Sequence, residues 1–361
     1  GAGGVVALGE RACSLQRRNQ KVVEEPPAPL VPEATRTAMI DAAVRLTAGA
    51  RYRSAGTVEF LYDSARNQFY FLEVNTRLQV EHGVTEQVTG VDLVEWMVRG
   101  AAGDFSFLDG FEARPQGASI QVRLYAEDPA QDYRPSSGLL TEVSFPEGPR
   151  VDGWVAAGSE VSAWYDPMLA KLIVTAPDRD AAIAALQQAL DQTRLGGIET
   201  NLDWLRTVVR SGAFTSGEVS TRALAGIDYR PDTIRVLAGG ASTTVQDWPG
   251  RLGYWAVGVP PSGPMDALSF RLGNRLLGNA EGAAGLEFTA AGPTLLFSAP
   301  ARICVAGADF QAKLDGEPVA CWTPLEVAEG QTLQIGRVAG GGLRGYLLVE
   351  GGLDAPLYLG S

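Results

Sequence analysis

The chain has 361 residues, room for two or three domains, and its 30 Lys+Arg against 42 Asp+Glu give a net charge of −12, which argues against nucleic acid or any other polyanion as a partner. Cys13, Cys304 and Cys321 are too widely spaced for a disulfide framework or a metal motif and suit a reducing, cytoplasmic setting; the single histidine, His82, excludes a His-based zinc site or a Ser-His-Asp triad elsewhere in the chain. No apolar run is long enough to cross a membrane and no signal peptide precedes the first expected strand; a start without Met and an abrupt stop at Gly360-Ser361 suggest an internal fragment.

A short strand is expected over 5–8. Arg17, Arg18 and Lys21 then form a basic cluster in an acidic chain. Such a cluster can hold phosphate or bicarbonate oxygens, or lie on a solvated strand edge with Lys21 paired to Glu24 or Glu25. Pro26, Pro27 and Pro29 end that element, and Pro32-Glu33 opens a helix with Ala38, Met39, Ala42, Ala43 and Leu46 at helical spacing.

Residues 56–62 read as a strand, 63–68 as a turn, and the stretch from Phe69 as a second strand running through Glu81. Glu73, Asn75, Arg77, Gln79 and Glu81 are all odd-numbered, and Leu72, Val74, Leu78 and Val80 are even and apolar. Alternation in an extended strand puts five functional groups in single file on one face. With a five-residue loop over 64–68, Glu59 lies opposite Glu73. Two opposed carboxylates repel. They suit either an Mg²⁺ that also holds nucleotide phosphates, with Asn75 adding an oxygen, or a structural ion-pair network neutralised by Arg77 or Lys21. Residues 92–102 read as an amphipathic helix ending at Gly103.

A second, α+β unit begins near Gln116 with a strand over 117–129, on which Arg123 shares a face with Ser119 and Gln121; by itself that pattern also fits a surface arginine. Strands over 141–145, 150–155 and 171–175 and helices over 178–192 and 200–209 follow. After a linker at 227–233 the pattern turns β-rich and barrel-like, with strands over 236–237, 243–246, 294–297, 303–306, 333–335 and 346–350 and one short helix over 270–277. The fold class is therefore α+β and multidomain.

Four stretches, E-R-A-C-S-L-Q-R-R-N-Q-K-V-V-E-E, G-T-V-E-F, F-L-E-V-N-T-R-L-Q-V-E-H and V-R-L-Y-A-E-D-P, occur in that order, and together they resemble the second half of a biotin carboxylase, an ATP-grasp enzyme, over about residues 1–230. T-T-V-Q-D-W-P-G-R-L-G-Y-W-A-V-G-V-P-P-S-G-P-M-D followed by G-A-A-G-L-E resembles the carboxyltransferase domain shared by urea carboxylase and 5-oxoprolinase C-type subunits. The two in this order resemble the urea amidolyase family. The resemblance divides the chain into an ATP-grasp second half (1–112), a biotin carboxylase C-terminal domain (113–230) and the first part of a carboxyltransferase domain (231–361).

The resemblance implies ATP, Mg²⁺ (or Mn²⁺) and biotin as cofactors, the biotin on a carrier domain outside this chain, with bicarbonate and then urea or a related small amide as substrates. ATP would activate bicarbonate as carboxyphosphate, the carboxyl would pass to biotin, and urea would become allophanate. Another amide or guanidine-like acceptor, or an inactive interaction module, is the alternative. Homo-oligomer formation is left open. Glu59, Glu73 and Asn75 would hold the metal; Lys21, Arg77, Gln79 and the backbone of Val80 and Glu81 would hold bicarbonate; Glu81 would be the general base. Arg123 would answer negative charge developing on biotin, and Gln16, Asn19 and Gln20 would lie near the nucleotide. Biotin carboxylases commonly carry His in place of Asn19 and Pro in place of Gly83, which is expected to loosen the turn after the base. No Ala-Met-Lys-Met acceptor motif occurs, and the isolated chain is expected to lack net activity. In the last unit, 258–266 fits either a substrate loop or a structural corner, with Gln246, Asp247, Arg251 and Asp266 as polar candidates that have no assigned step.

Overall fold

The computed structural model describes residues 4–227, 229–355, 357 and 359–361. The chain is mixed α/β and falls into two compact units, Gly1–Tyr229 and Arg230–Ser361. The linker expected at 227–233 includes Asp228, which lies outside the described residues.

The first unit is built on one antiparallel five-stranded sheet. Its order is β1 (Ala12–Arg17), β2 (Gln20–Glu25), β5 (Ala118–Tyr125), β7 (Met168–Ala176) and β6 (Arg150–Gly153). Every residue of β5 is buried. On one side Ile120, Val122 and Leu124 join Leu172 and Val174 of β7 in a core with α4 (Arg179–Gln192) and α5 (Leu202–Val208), through Ala182, Leu186, Leu190, Trp204 and Leu205. Asp178 caps α4 by accepting from Ala181 N–H at 2.8 Å. On the other side the short helix α2 (His82–Thr89) lies over β5 and β7. Gly83 is in its first turn, where a Cβ would meet Ile173 Cδ1 at 2.5 Å. It is therefore a close-packing position rather than a loosened turn. This coverage makes Arg123 a buried residue, so the surface alternative does not hold. Asn201, also buried, fixes the end of β5: its Oδ1 accepts from Tyr125 N–H at 2.8 Å and its Nδ2 donates to the Arg123 carbonyl at 3.0 Å.

Three expectations need correction here. Residues 5–8 form no strand. The loop between β3 (Thr57–Asp63) and β4 (Gln68–Asn75) has four residues rather than five, since Asp63 pairs with Gln68. A bulge between the Glu59/Glu73 and Phe60/Phe71 pairs absorbs the extra residue, so Glu59 still lies opposite Glu73. Finally, β4 stops at Asn75; 76–81 is irregular, and His82 N–H closes a turn on the Gln79 carbonyl at 3.2 Å before α2 begins. The alternation through Glu81 is therefore not one strand face, and Leu72 is exposed. Val84 and Val88, both buried, carry the i, i+4 spacing of α2 that the alternation obscured. Helix α1 (Glu33–Gly49) and helix α3 (Leu93–Ala101, capped by Asp92) match their expected positions within a few residues.

In the second unit two five-stranded sheets form. One runs Ile234–Ala238, Thr294–Phe297, Thr332–Gln334, Lys313–Leu314, Glu317–Pro318. The other runs Thr243–Gln246, Gly285–Thr289, Arg344–Val349, Ala301–Gly307, Leu325–Val327. Phe288, Phe297, Val305, Phe310, Leu333 and Leu347 share its core. The helix Ala267–Leu276 packs Phe270 against Cys304, Tyr346 and Leu348. The strand Gly285–Thr289, which lies between Thr243–Gln246 and Arg344–Val349, was not read from sequence. Among the described residues no helix is long and apolar enough to cross a membrane.

Asn201→Ala strands one buried donor and one buried acceptor of β5, so it is expected to lower the stability of the first unit by about 2–4 kcal/mol. Chemical denaturation measures this, and a loss within error of zero would show that the clamp does not matter.

Candidate active site

The site grows from four stretches that the first unit brings together. Glu81, at the N-terminal end of α2, is almost completely buried. Its Oε1 accepts from Lys21 Nζ at 2.8 Å, and its Oε2 accepts from Arg123 at 3.0 Å. Lys21 also donates to Glu59 Oε1 at 2.9 Å, so one ammonium spans the two carboxylates. Gln79 Nε2 donates to the same Glu59 oxygen at 2.7 Å. Arg123 is shared in turn with the fully buried Glu24, its Nε 2.6 Å from Glu24 Oε1, and Gln121 Nε2 completes Glu24 at 3.0 Å. Cation and anion thus alternate from Glu59 through Lys21, Glu81 and Arg123 to Glu24.

This alternation sets the charges. Burial pushes the Glu81 carboxyl up, but the hydrogen bond and charge of Lys21, with help from Arg11, outweigh it and hold the group below its ordinary value. Glu59 shows the same contest, and Lys21 and Gln79 bring it down. Burial wins at Glu24, whose carboxyl is raised despite Arg123. Lys21 is disfavoured by burial, yet the surrounding negative groups raise its pKa. Cys13, whose Sγ lies 3.8 Å from Glu81 Oε1, is pushed up to about 12 by burial and by Glu24 and Glu81, so it is a neutral thiol.

Glu59 and Glu73 face each other across the β3–β4 hairpin, and Asn75 Nδ2 donates to both, at 3.1 and 2.9 Å. Two carboxylates and an amide converge there, although no group of three His, Cys, Asp or Glu able to hold a metal occurs among the described residues. Val80 lies in the irregular segment before Glu81. Arg77 is exposed, its guanidinium on the Leu78 carbonyl at 3.3 Å, outside the carboxylate network. Gln16 pairs with Lys21 in the β1–β2 register and donates to the Cys13 carbonyl at 2.9 Å. Asn19 sits at the exposed tip of that hairpin, where it and Arg18 take left-handed φ values of 66° and 48°, which an asparagine tolerates. Gln20 accepts from Arg17 at 2.8 Å.

The basic cluster divides. Arg17 pairs with Glu127 and stacks on Tyr133, and Arg18 pairs with Asp132; Lys21 alone reaches the site. Lys21 does not pair with Glu24 or Glu25; Glu25 takes Arg179 at 2.7 Å. Sequence reasoning missed Arg11, which holds Gln79 Oε1 at 3.1 Å, Thr85 at 2.8 Å and Thr57 at 3.2 Å. It also missed Glu24 and Gln121 as supports. Arg11 and Glu24 lie inside the E-R-A-C motif stretch, which was the available signal.

In the second unit Asp266 caps the helix Ala267–Leu276 through Ser269 N–H at 3.0 Å, and Gln246 Oε1 takes Gly263 N–H at 3.2 Å. Asp247 accepts from Ser361 at 2.5 Å, and Arg251 N–H bonds Ser262 Oγ at 2.9 Å. The buried Glu287, unassigned from sequence, accepts from Met265 N–H at 2.7 Å and Tyr346 Oη at 2.9 Å, and so pins the end of the 258–266 loop.

Lys21→Met removes the cation shared by Glu59 and Glu81. The Glu81 carboxyl is then expected to rise above the ordinary carboxylate range, measured by carboxyl-resolved NMR titration; an unchanged low value would show that Arg123 alone sets its charge.

Family models match three stretches: the carbamoyl-phosphate synthase L chain ATP binding domain over residues 1–105, the biotin carboxylase C-terminal domain over 121–226, and the carboxyltransferase domain, subdomain A and B, over 257–361. The urea amidolyase of Saccharomyces cerevisiae is 51% identical over 361 residues, 100% of this chain but 20% of that protein. The crystal structure of the Kluyveromyces lactis urea carboxylase superposes with a TM-score of 0.92 at 54% identity, covering 99% of this chain and 32% of that one. The biotin carboxylase domain dimer of Hydrogenobacter thermophilus 2-oxoglutarate carboxylase, in complex with MgADP, ADP and bicarbonate, has a TM-score of 0.59 at 39% identity and covers 62% of this chain and 50% of that one. The chain spans about a fifth of the length of the urea amidolyases it matches. Homologous to them from end to end, with its biotin carboxylase part followed by a carboxyltransferase part, the chain belongs to the urea amidolyase/urea carboxylase family.

Proposed function

We propose that the first unit carries the bicarbonate-activating part of an ATP-dependent, biotin-dependent urea carboxylase, and that the second contributes to carboxyl transfer to urea, giving allophanate. The observation that carries this reading is the buried Glu81 carboxylate held between Lys21 and Arg123, next to the opposed Glu59 and Glu73. The H. thermophilus relative, captured with MgADP and bicarbonate, supports the substrate class. The matches over 1–105, 121–226 and 257–361 support a division into ATP-grasp, C-terminal and carboxyltransferase parts near residues 112 and 230.

Bicarbonate is a small planar anion, and a planar anion needs fixed donors on several sides. Lys21, Gln79, Arg77 and the backbone of Val80 and Glu81 supply them. Glu81 takes the bicarbonate proton. Held ionised at neutral pH by two cations, it is always in the accepting form but weak as a base. Once Lys21 turns toward the substrate, Glu81 loses part of that stabilisation and becomes a stronger base at the moment it is needed. Arg123, held rigid by Glu24 and Asn201's grip on its carbonyl, presents a fixed positive charge where negative charge develops on the acceptor. Gln16, Asn19 and Gln20 lie toward the nucleotide.

Glu59 and Glu73 would hold a divalent ion, with Asn75 beside them; its amide can present either nitrogen or oxygen by rotating about its last bond. Hard oxygen donors fit Mg²⁺ or Mn²⁺, which would neutralise nucleotide phosphate charge when bound. Biotin, borne on a carrier domain, would supply the acceptor nitrogen.

In the protein expressed from its full reading frame, Glu81→Gln is expected to lower bicarbonate-dependent ATP hydrolysis by about 10²-fold or more, with circular dichroism unchanged. A wild-type rate would remove Glu81 as the base. Urea is expected to stimulate ATP hydrolysis by the unsubstituted protein in the presence of bicarbonate and biotin carrier; stimulation by another amide or a guanidine compound, and none by urea, would reassign the acceptor.

A further inference from the structure

Strand β7 places Lys171 directly across from Arg123 of β5 and from Asp152 of β6. Two cations opposed on neighbouring strands repel. Each is directed toward the same two residues of the chain above. Arg123 reaches the Glu81 carboxylate at 3.0 Å, and Lys171 Nζ reaches the Val80 carbonyl at 2.9 Å. Lys171 is itself almost fully buried, with Asp152 Oδ2 at 2.9 Å.

Asp152 has a second cation besides Lys171. Arg150 already holds it with two parallel bonds, Nε to Oδ1 at 2.9 Å and a terminal nitrogen to Oδ2 at 3.1 Å, while also reaching Glu86 at 2.6 Å. Because Arg150 is shared with Glu86, Lys171 supplies the second positive charge of this group, and its remaining contact is the one to the Val80 carbonyl. That contact fixes a peptide plane. In a trans peptide the Val80 carbonyl and the Glu81 N–H point in opposite directions. Drawing the carbonyl down toward β7 turns the N–H up, to the side where the Glu81 carboxylate meets Lys21 and Arg123. Consistent with this direction, the Glu81 N–H is among the groups that hold its own carboxyl down. The segment is tied once more from Gln79, whose carbonyl meets His82 Nδ1 at 2.8 Å.

We propose that Lys171, seated by Asp152, is a positioning residue for the anion site: it orients the Val80–Glu81 peptide so that the Glu81 N–H faces bicarbonate. This rests on the bicarbonate reading given above. Lys171 touches no substrate; it acts through the peptide.

The test is steady-state ATP hydrolysis by the protein expressed from its full reading frame, with bicarbonate and ATP varied separately. Lys171→Met leaves Asp152 paired with Arg150. It is expected to raise the KM for bicarbonate about tenfold, with kcat and the KM for ATP within about twofold. Lys171→Arg keeps a cation beside Asp152 and a donor near Val80; its larger planar head is expected to leave a smaller rise, about two- to fivefold. A general structural role would move kcat, both KM values and the unfolding midpoint together, and that pattern would overturn the proposal. So would a wild-type bicarbonate KM in Lys171→Met or, if that variant does not fold, in Lys171→Arg. Absence of bicarbonate dependence in the unsubstituted protein would instead overturn the reading of the site itself, and this proposal with it.

Discussion

Everything in the first unit is arranged around a buried carboxylate that must stay charged. Glu81 is 2% exposed, and an isolated carboxylate at that depth would be neutral. Lys21 and Arg123 prevent this, and each is itself partly buried and needs a second anion. Lys21 finds Glu59, and Arg123 finds Glu24. Removal of Lys21 leaves Glu59 without its cation, and removal of Arg123 does the same to the buried Glu24, which is costlier than the loss of a surface pair. Such a chain of charges is expensive to build.

The scaffold supplies rigidity where that chain needs it. β5 is buried on both faces, apolar toward α4 and α5, polar toward α2. Gly83 lets α2 lie close enough to seal the polar side. The sheet also joins the hairpin β1–β2 to strands more than ninety residues later, as in the Gln121–Glu24 and Arg123–Glu24 bonds. The segment bearing Val80 and Glu81 is irregular backbone, yet it is tied from below by Lys171 and His82 and from above by Lys21, Arg11 and Arg123. The second unit repeats the device on a smaller scale. There, the buried Glu287 and Tyr346 hold the backbone of Met265 and Asp266, so the end of the Gly- and Pro-rich loop is fixed by side chains from neighbouring strands.

Much of this was legible in the residues themselves. Helical spacing located α1, α3, α4 and α5 within a few residues. The opposition of Glu59 and Glu73 followed from hairpin pairing, although by a different division between loop and bulge than the sequence suggested. The motifs pointed to the family. The same alternation misled beyond Asn75, because parity cannot distinguish a strand from an irregular segment followed by a helix with apolar residues four apart. The exposed Leu72 and the buried Val84 and Val88 mark where the two periods part.

The sequence by itself determined which chemical groups exist and which local elements carry them: two carboxylates across a hairpin, a lysine near a strand end, an arginine on a strand face. Only the tertiary structure decided their partners. Lys21 had nearer carboxylates at Glu24 and Glu25 but pairs with Glu59 and Glu81; Arg77, adjacent to the site in sequence, remains exposed, and Arg11 and Lys171 enter from a distance. The reason is physical. Ion pairs and buried hydrogen bonds depend on separations of a few ångströms and on burial, and both are set by how sheets and helices stack, not by spacing along the chain.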